Sequence, residues 1–191
     1  MLTVLVIDES RSRAGEICAG LALAGYQVAA ILAGSENLTA EVERLQPDVI
    51  LIDTDSPSRD TLENLAAMNK DMPRPVIIFT QEDGQETIRD AVKAGVSAYI
   101  VDGLDPKRIK PILEVARARF DDTQALRREL DEVSQKLSDR KLVDKAKGVL
   151  MKARGLDEDA AYHAMRKLAM ERGQSMAKVA RDVIDMARVL L

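Results

Sequence analysis

The pattern of apolar and polar positions divides the chain into two parts. Up to about residue 120, short apolar runs alternate with segments of helical spacing, and beyond that point only helical spacing is found. The apolar runs cover residues 3–7, 26–31, 48–52, 75–79 and 98–101, and the helical segments lie around residues 11–23, 36–45, 59–68 and 85–94. Strands that alternate with helices form a parallel sheet with helices on both faces. We therefore predict a doubly wound α/β domain with a five-stranded parallel sheet over residues 1–120.

A long helix without internal glycine is predicted over residues 105–138. Its prolines, Pro106 and Pro111, lie near the start, so the uninterrupted helix is expected to begin near Pro111. Apolar residues follow 3-4 spacing, with Arg119 as an interruption, and are strongest at Leu126, Leu130, Val133 and Leu137. The pattern fits a parallel two-stranded coiled coil or a helix folded back on its own chain. A homodimer through the coiled coil is favoured, because the adjacent chain is too short to cover the stripe.

Residues 134–191 are predicted to form a small all-α module of three helices. Gly155 is suited to end the first helix and Asp157 to cap the second. Gly173 and Ser175 mark the end of the second helix and the start of the third. A bundle of roughly 55 residues is marginally stable alone, so dimerisation through the preceding helix would help.

Charge is distributed unevenly along the 191 residues, whose formal net charge is -4. Residues 134–191 hold 13 Lys and Arg against 8 Asp and Glu, whereas residues 1–133 hold 15 against 24. We therefore expect only the rear of the chain to meet a polyanion. The single cysteine excludes a disulfide framework. The absence of a long apolar run or a signal peptide predicts a cytoplasmic protein without a membrane segment.

Acidic residues stand at the ends of two predicted strands. Asp8 and Glu9 follow the first strand, Asp53 ends the third, and Thr80 ends the fourth. In such sheets the carboxyl ends of the strands form the site. Carboxylates that converge there repel each other, and a hard cation such as Mg²⁺ would relieve the repulsion. The metal could position a phosphoryl donor for attack by Asp53, and Thr80 would offer its hydroxyl to the phosphoryl group.

A basic face is predicted on the helix with the sequence RKLVDKAKGVLM, residues 140–151. The residues on this face are Lys141, Lys145, Gly148 and Lys152, with Arg140 and Lys147 beside them. Glycine inside a helix costs about 1 kcal/mol relative to alanine. Its presence among basic residues suggests that an anionic group approaches the backbone closely. The alternative is a solvated basic face with Gly148 at a helix crossing.

The first 120 residues resemble a response-regulator receiver domain. The segments that carry the resemblance are VLVIDES, VILIDTDSP, IIFT and AGVSAYIV. The resemblance implies that Asp53 is the phospho-acceptor position and that Asp8 and Glu9, with Asp53, are metal-site positions. It also places Thr80 and Tyr99 at the switch hydroxyl and switch aromatic positions of the family.

One residue departs from the receiver pattern. Typical receivers carry a lysine at the end of the fifth strand, where this chain has Asp102. An anion near the acidic cluster opposes the charge of a phosphoaspartate. A receiver fold kept as a docking scaffold is therefore favoured over a phosphorylation-switched regulator, which remains the alternative.

The rear module resembles the ANTAR domain, the RNA-binding output of bacterial transcription antiterminators. The resemblance covers about residues 134–191 and rests on Arg140, the AKGVLM run, the Ala161-Tyr162 and Met165-Arg166 pairs, Ala169 and Val179-Ala180. It implies a dimer that binds paired stem-loops in a leader mRNA, so that RNA polymerase reads through a terminator. The expected phosphate contacts are Arg140, Lys141, Lys145 and Lys147. Arg166 could stack on or pair with loop bases, and Tyr162 is either a stacking residue or core filler.

Two segments resemble a narrower group within this family. VILIDTDSP and SAYIVDG resemble the antiterminators of nitrate and nitrite assimilation, the NasT type. That resemblance implies a nitrate-sensing protein partner, of the NasS type, which holds the regulator inactive until the ligand arrives.

Two other classes of function are disfavoured by the sequence. Residues 176–180 look like the first helix of a helix-turn-helix motif, but the 11 residues after Ala180 continue the same apolar period without a turn. A DNA-binding output of that design is therefore not expected. No His/Cys cluster, phosphate-binding glycine loop or nucleophile elbow is found, so we expect a regulator that is not an enzyme.

Overall fold

The computed structural model describes residues 1–9, 13–101 and 105–190. Its contacts divide the chain into two compact units, which we call the N-terminal unit (Met1–Gln124) and the C-terminal unit (Ala125–Leu191). Each unit has its own hydrophobic core.

The N-terminal unit contains the predicted five-stranded parallel sheet. Its strands are β1 (Thr3–Asp8), β2 (Gln27–Leu32), β3 (Val49–Asp53), β4 (Val76–Thr80) and β5 (Ala98–Val101). They lie in the order β2-β1-β3-β4-β5, and every neighbouring pair is parallel. All residues of β3 and β4 are buried, as expected for central strands covered on both faces.

Helices cover both faces of this sheet, which confirms the doubly wound α/β fold. The helices of the unit are α1 (Ala14–Leu23), α2 (Leu38–Leu45), α3 (Arg59–Asp71), α4 (Gln85–Lys93), a 3₁₀ turn (Pro106–Arg108) and the start of α5 (Ile109–Arg154). On one face Ile17 and Leu21 of α1 pack with Ile109 and Leu113 of α5. On the other face lie apolar residues of α2, α3 and α4, among them Val42, Leu65 and Ala91.

The parallel register brings the acidic strand ends to one edge of the sheet. Asp8, the last residue of β1, is directly opposite Asp53, the last residue of β3. Thr80 ends β4 opposite Val101. The backbones of Asp8 and Asp53 are therefore adjacent, as the predicted acidic cluster requires.

The long helix α5 contains 46 residues and is longer than the predicted linker helix. It begins at Ile109, two residues before Pro111, and it continues to Arg154. The first predicted helix of the rear module is thus the C-terminal end of α5, because no glycine or proline separates the two segments. The side chains of Leu126, Leu130, Val133 and Leu137 are 54 to 68% exposed in the single chain. The coiled coil remains a prediction.

The C-terminal unit packs the end of α5 with α6 (Glu158–Arg172) and α7 (Met176–Leu190). The hydrophobic cluster of this unit contains the buried residues Ala146, Met165, Ala169, Val179, Ala180 and Ile184. The predicted boundaries of α6 are confirmed: Asp157 accepts a hydrogen bond from the Ala160 N–H at 2.7 Å, and Gly173 follows the helix in the left-handed conformation. The helix α7 runs unbroken from Met176 to Leu190, so the residues after Ala180 that the structure describes continue the same helix.

None of the helices that the structure describes combines the length and the apolar character needed to cross a membrane.

Candidate functional site

The end of β3 carries the carboxylate that defines the first candidate site. The side chain of Asp53 is fully buried, and Asp8 on β1 is 1% exposed. Burial raises the pKa of Asp53, and the neighbouring carboxylates of Asp8 and Asp55 act in the same direction, while Arg13 opposes the shift. We call the space around Asp53 the acid pocket, defined by Asp8, Arg13, Asp53 and Asp55.

Arg13, at the start of α1, supplies a positive charge to the acid pocket. Its Nε lies 2.9 Å from Oδ2 of Asp53, and its Nη2 lies 3.3 Å from Oδ1 of Asp55. The Arg13 side chain is 30% exposed. Sequence reasoning missed this residue because nothing in the local pattern links it to a carboxylate 40 positions away.

Glu9, one of the three predicted metal ligands, points to different partners. Its Oε2 accepts a hydrogen bond from Thr54 Oγ1 at 2.7 Å, and its Oε1 accepts one from Thr61 Oγ1 at 3.1 Å. Both carboxylate oxygens are thus engaged by threonine hydroxyls at the end of β3 and in the first turn of α3. That position also lies near the positive end of the α3 dipole.

The acid pocket as it stands does not fit a bound Mg²⁺ ion. Across residues 1–9, 13–101 and 105–190, no three His, Cys, Asp or Glu side chains are grouped so that they could hold a metal. The guanidinium of Arg13 lies against Asp53, and Glu9 is occupied elsewhere. Coordination by Asp8, Glu9 and Asp53 would require Arg13 and Glu9 to change their contacts.

The two predicted switch residues contact the same loop after β4. Thr80 Oγ1 donates a hydrogen bond to the Asp55 carbonyl at 2.8 Å and accepts one from the Glu82 N–H at 3.2 Å. The Tyr99 hydroxyl donates to the Glu82 carbonyl at 3.0 Å. Asp102, which stands where typical receivers carry the lysine at the end of the fifth strand, lies outside the described residues.

The second candidate site is the basic face of α5. The exposed residues on it are Arg140, Lys141, Lys145 and Lys152. Gly148 is half-buried, and a Cβ built on it would meet no atom within 4 Å. A helix crossing therefore does not explain Gly148, because no packed neighbour among the described residues requires its small size.

Lys147 differs from the other basic residues of α5. Its side chain is 15% exposed, and its Nζ lies 2.8 Å from Asp144 Oδ1 and 2.7 Å from Glu158 Oε1. The hydrogen bonds to Asp144 and Glu158 raise the pKa of Lys147. Lys147 thus joins α5 to the first turn of α6. A helical wheel shows only positions within one helix, so it could not predict this contact.

The exposed face of α6 carries the only aromatic residue of the C-terminal unit. Tyr162 is 40% exposed and does not belong to the buried cluster of the unit. Its ring meets that of His163 edge to face, with centroids 6.1 Å apart. Arg166, one turn further along the same helix, is also exposed. Tyr162 is therefore available to a ligand and is not core filler.

Comparison with known families identifies both parts of the chain. Residues 4–114 match the response regulator receiver domain, and residues 131–184 match the ANTAR domain.

Two characterised regulatory proteins are similar to this chain. The chain is 28% identical over 161 residues to the transcriptional regulatory protein PdtaR of Mycobacterium tuberculosis, a match that covers 84% of this chain and 78% of that protein. It is 37% identical over 75 residues to the nitrate regulatory protein of Klebsiella oxytoca, which covers 39% of this chain and 19% of that protein.

Solved structures support the fold of the N-terminal unit. The signal receiver domain of a modulated diguanylate cyclase from Desulfovibrio desulfuricans superposes with a TM-score of 0.56 at 22% identity, over 62% of this chain and 98% of that one. This likeness concerns the fold. Together with the two family matches, it leads to the conclusion that the chain belongs to the response regulators and joins a receiver domain to an ANTAR output domain.

Proposed function

We propose that this response regulator is a transcription antiterminator that binds stem-loops in leader mRNA through its C-terminal unit. The contact surface would be the exposed basic face of α5 together with Tyr162 and Arg166 of α6. RNA polymerase would be affected indirectly, when binding prevents a terminator from forming. The protein would act in the cytoplasm as a binding protein and would not turn over a substrate.

The basic face around Gly148 is the observation that carries this proposal. Lys141, Lys145 and Lys152 have no ion pair among the residues that the structure describes, so their charges are free to meet phosphates. Lysine contacts to phosphates supply most of the non-specific affinity for nucleic acids. The open space beside Gly148 would let a phosphate or a ribose approach the helix backbone.

RNA is favoured over duplex DNA by the residues of α6 and by the form of α7. Sequence-specific RNA recognition stacks unpaired loop bases on aromatic rings or on arginine planes. Tyr162 and Arg166 offer such groups on an exposed face. A helix-turn-helix reader of DNA that begins with α7 would require a second helix after a tight turn, whereas α7 continues as a single helix to Leu190.

A dimer through α5 would present two C-terminal units to paired stem-loops. The exposed residues Leu126, Leu130, Val133 and Leu137 are spaced by four, three and four positions, as in the seam of a two-stranded coiled coil. In a parallel pair, Asp122 of one chain would lie beside Arg127 of the other, at flanking positions of opposite charge.

Control by nitrate is the finer part of the proposal. It is supported by the likeness to the nitrate regulatory protein of Klebsiella oxytoca and by the VILIDTDSP and SAYIVDG segments. An inhibitory nitrate-sensing protein of the NasS type would bind the regulator until the ligand arrives. The receiver domain would then serve as a docking scaffold. The alternative is a switch by phosphorylation of Asp53, with Mg²⁺ at the acid pocket.

A binding comparison tests the proposed function. The full chain is titrated with a synthetic RNA that carries two consecutive stem-loops from a nitrate-assimilation leader, and with a duplex promoter DNA of equal length. Both titrations use one stated salt concentration, because phosphate contacts make affinity depend on salt. We expect preferential binding of the RNA. Equal affinity for the two probes, or preference for the duplex, would contradict the proposal.

A further inference from the structure

The position of Arg13 in its own helix does not explain why the residue is an arginine. Arg13 is the N-cap of α1, and its carbonyl accepts the hydrogen bond of the Ile17 N–H at 3.0 Å. This position favours Ser, Thr, Asp or Asn, whose side chains can accept a hydrogen bond from the first turn. The Arg13 side chain makes no such bond. Its positive charge is also unfavourable at the positive end of a helix dipole.

The contacts of the guanidinium explain the residue better. Nε and Nη2 of Arg13 reach Asp53 and Asp55, which lie on opposite sides of Thr54. The planar fork of arginine suits two oxygen partners at once, whereas a lysine ammonium is a point charge. Arg13 thus connects the start of α1 to the end of β3.

Arg13 is the positively charged side chain that the structure places against Asp53. The carboxylate is fully buried, and neither of its oxygens receives a well-aligned hydrogen bond from the residues that the structure describes. A buried carboxylate without compensation is costly. The Arg13 ion pair at 2.9 Å provides that compensation.

A divalent ion on Oδ2 of Asp53 would have to replace this ion pair. Mg²⁺ binds oxygen ligands at about 2.0–2.1 Å and keeps a near-octahedral shell that fills the space around each ligand. A guanidinium already in contact with Oδ2 occupies part of that space, and two cations at such short range repel each other. Binding of Mg²⁺ to Oδ2 of Asp53 and the contact of Arg13 with that same oxygen therefore exclude one another.

We propose that Arg13 is the built-in cation of the acid pocket and competes directly with Mg²⁺ for Asp53. The receiver would keep its central carboxylate neutralised by its own side chain, and its affinity for Mg²⁺ would be lowered accordingly. This inference concerns the N-terminal unit and is independent of RNA binding.

Titration of the full chain with Mg²⁺ tests the proposal. Isothermal calorimetry gives the affinity, and amide chemical shifts at the ends of β1 and β3 locate the ion. We expect R13Q to bind Mg²⁺ more tightly than the parent protein, on the order of tenfold. R59Q is the matched control, because it removes the same charge from Arg59, whose side chain is 88% exposed and pairs with the exposed Glu63. Equal Mg²⁺ affinity of the parent protein and R13Q would overturn the proposal.

Two further measurements keep the test decisive if R13Q does not fold. R13K retains a charge but loses the fork, so its Mg²⁺ affinity should lie above that of the parent protein. In the parent protein itself, saturating Mg²⁺ should shift the Nε–Hε resonance of Arg13 as the ion pair opens. If the amides near Asp53 respond to Mg²⁺ while the Arg13 resonance stays in place, competition is refuted.

Discussion

Lys147 of α5 donates a hydrogen bond to Oε1 of Glu158 in α6 over 2.7 Å, while the same ammonium pairs with Asp144. A basic residue within the ANTAR motif is thus directed at the neighbouring helix. To bind an RNA phosphate, Lys147 would have to give up two carboxylate partners. The exposed lysines of the same helix face no such cost.

Replacement of Lys147 should act mainly on the C-terminal unit itself. We expect K147M, which keeps the aliphatic stem, to lower the free energy of unfolding, because it removes the ion pairs with Asp144 and Glu158. Chemical denaturation of K147M, E158Q and the double variant gives the coupling between the two residues. A loss of RNA affinity in K147M without any change in stability would show that Lys147 contacts RNA instead.

The exposed lysines should govern RNA affinity. K141A and K145A are each expected to weaken binding of the two-stem-loop RNA and to reduce the slope of log affinity against log salt by about 1. Arg140→Ala should weaken binding by about 1–3 kcal/mol if it contacts a base edge. Lys70→Ala is the matched control, because Lys70 is an exposed lysine of the N-terminal unit. If K141A and K145A bind like K70A, the basic face of α5 is not the RNA surface.

Replacement of Gly148 by alanine should raise the stability of the helix and lower the affinity for RNA. Since a Cβ at this position meets no atom within 4 Å, G148A should gain up to about 1 kcal/mol of helix stability. The added methyl group would at the same time hold a bound phosphate or ribose away from the backbone. Thermal unfolding and RNA titration of one variant measure both effects. Unchanged RNA affinity in a stabilised G148A would indicate that nothing approaches the backbone there.

The exposed stripe of α5 should determine the oligomeric state. L130D places a charge in the proposed seam, so the dimer should dissociate and the apparent affinity for paired stem-loops should fall. Sedimentation equilibrium measures the first effect. L23D serves as the control, because Leu23 is 89% exposed on α1, outside the stripe. A dimer that survives L130D would refute the coiled coil.

Much of the fold could be predicted because burial leaves a clear pattern in the sequence. The strands β3 and β4 are buried throughout, so they read as continuous apolar runs between turns. The caps Asp157 and Gly173 marked the limits of α6 for equally local reasons. The structure has one continuous helix, α5, across the predicted linker and the first helix of the rear module, because no helix-breaking residue lies where the two meet.

The candidate sites were less predictable because their contacts join distant positions. Asp8 and Asp53 could be paired from the topology of parallel strands, whereas the Arg13 contact depends on the path of one side chain. Similarly, Lys147 was grouped with the other lysines by its place on α5, but its partner Glu158 lies on the next helix. Residue type and helical spacing predict which charges share a face, and they do not show which charges are already neutralised.

The backbone of Glu82 has one further consequence for the receiver. Its N–H bonds to the Thr80 hydroxyl and its carbonyl accepts from the Tyr99 hydroxyl, so a single residue joins two side chains from neighbouring strands. A displacement of this residue would change both hydrogen bonds together. A movement of the Thr80 hydroxyl toward the strand ends that displaces Glu82 would therefore also weaken the hydrogen bond of the Tyr99 hydroxyl on β5, the edge strand.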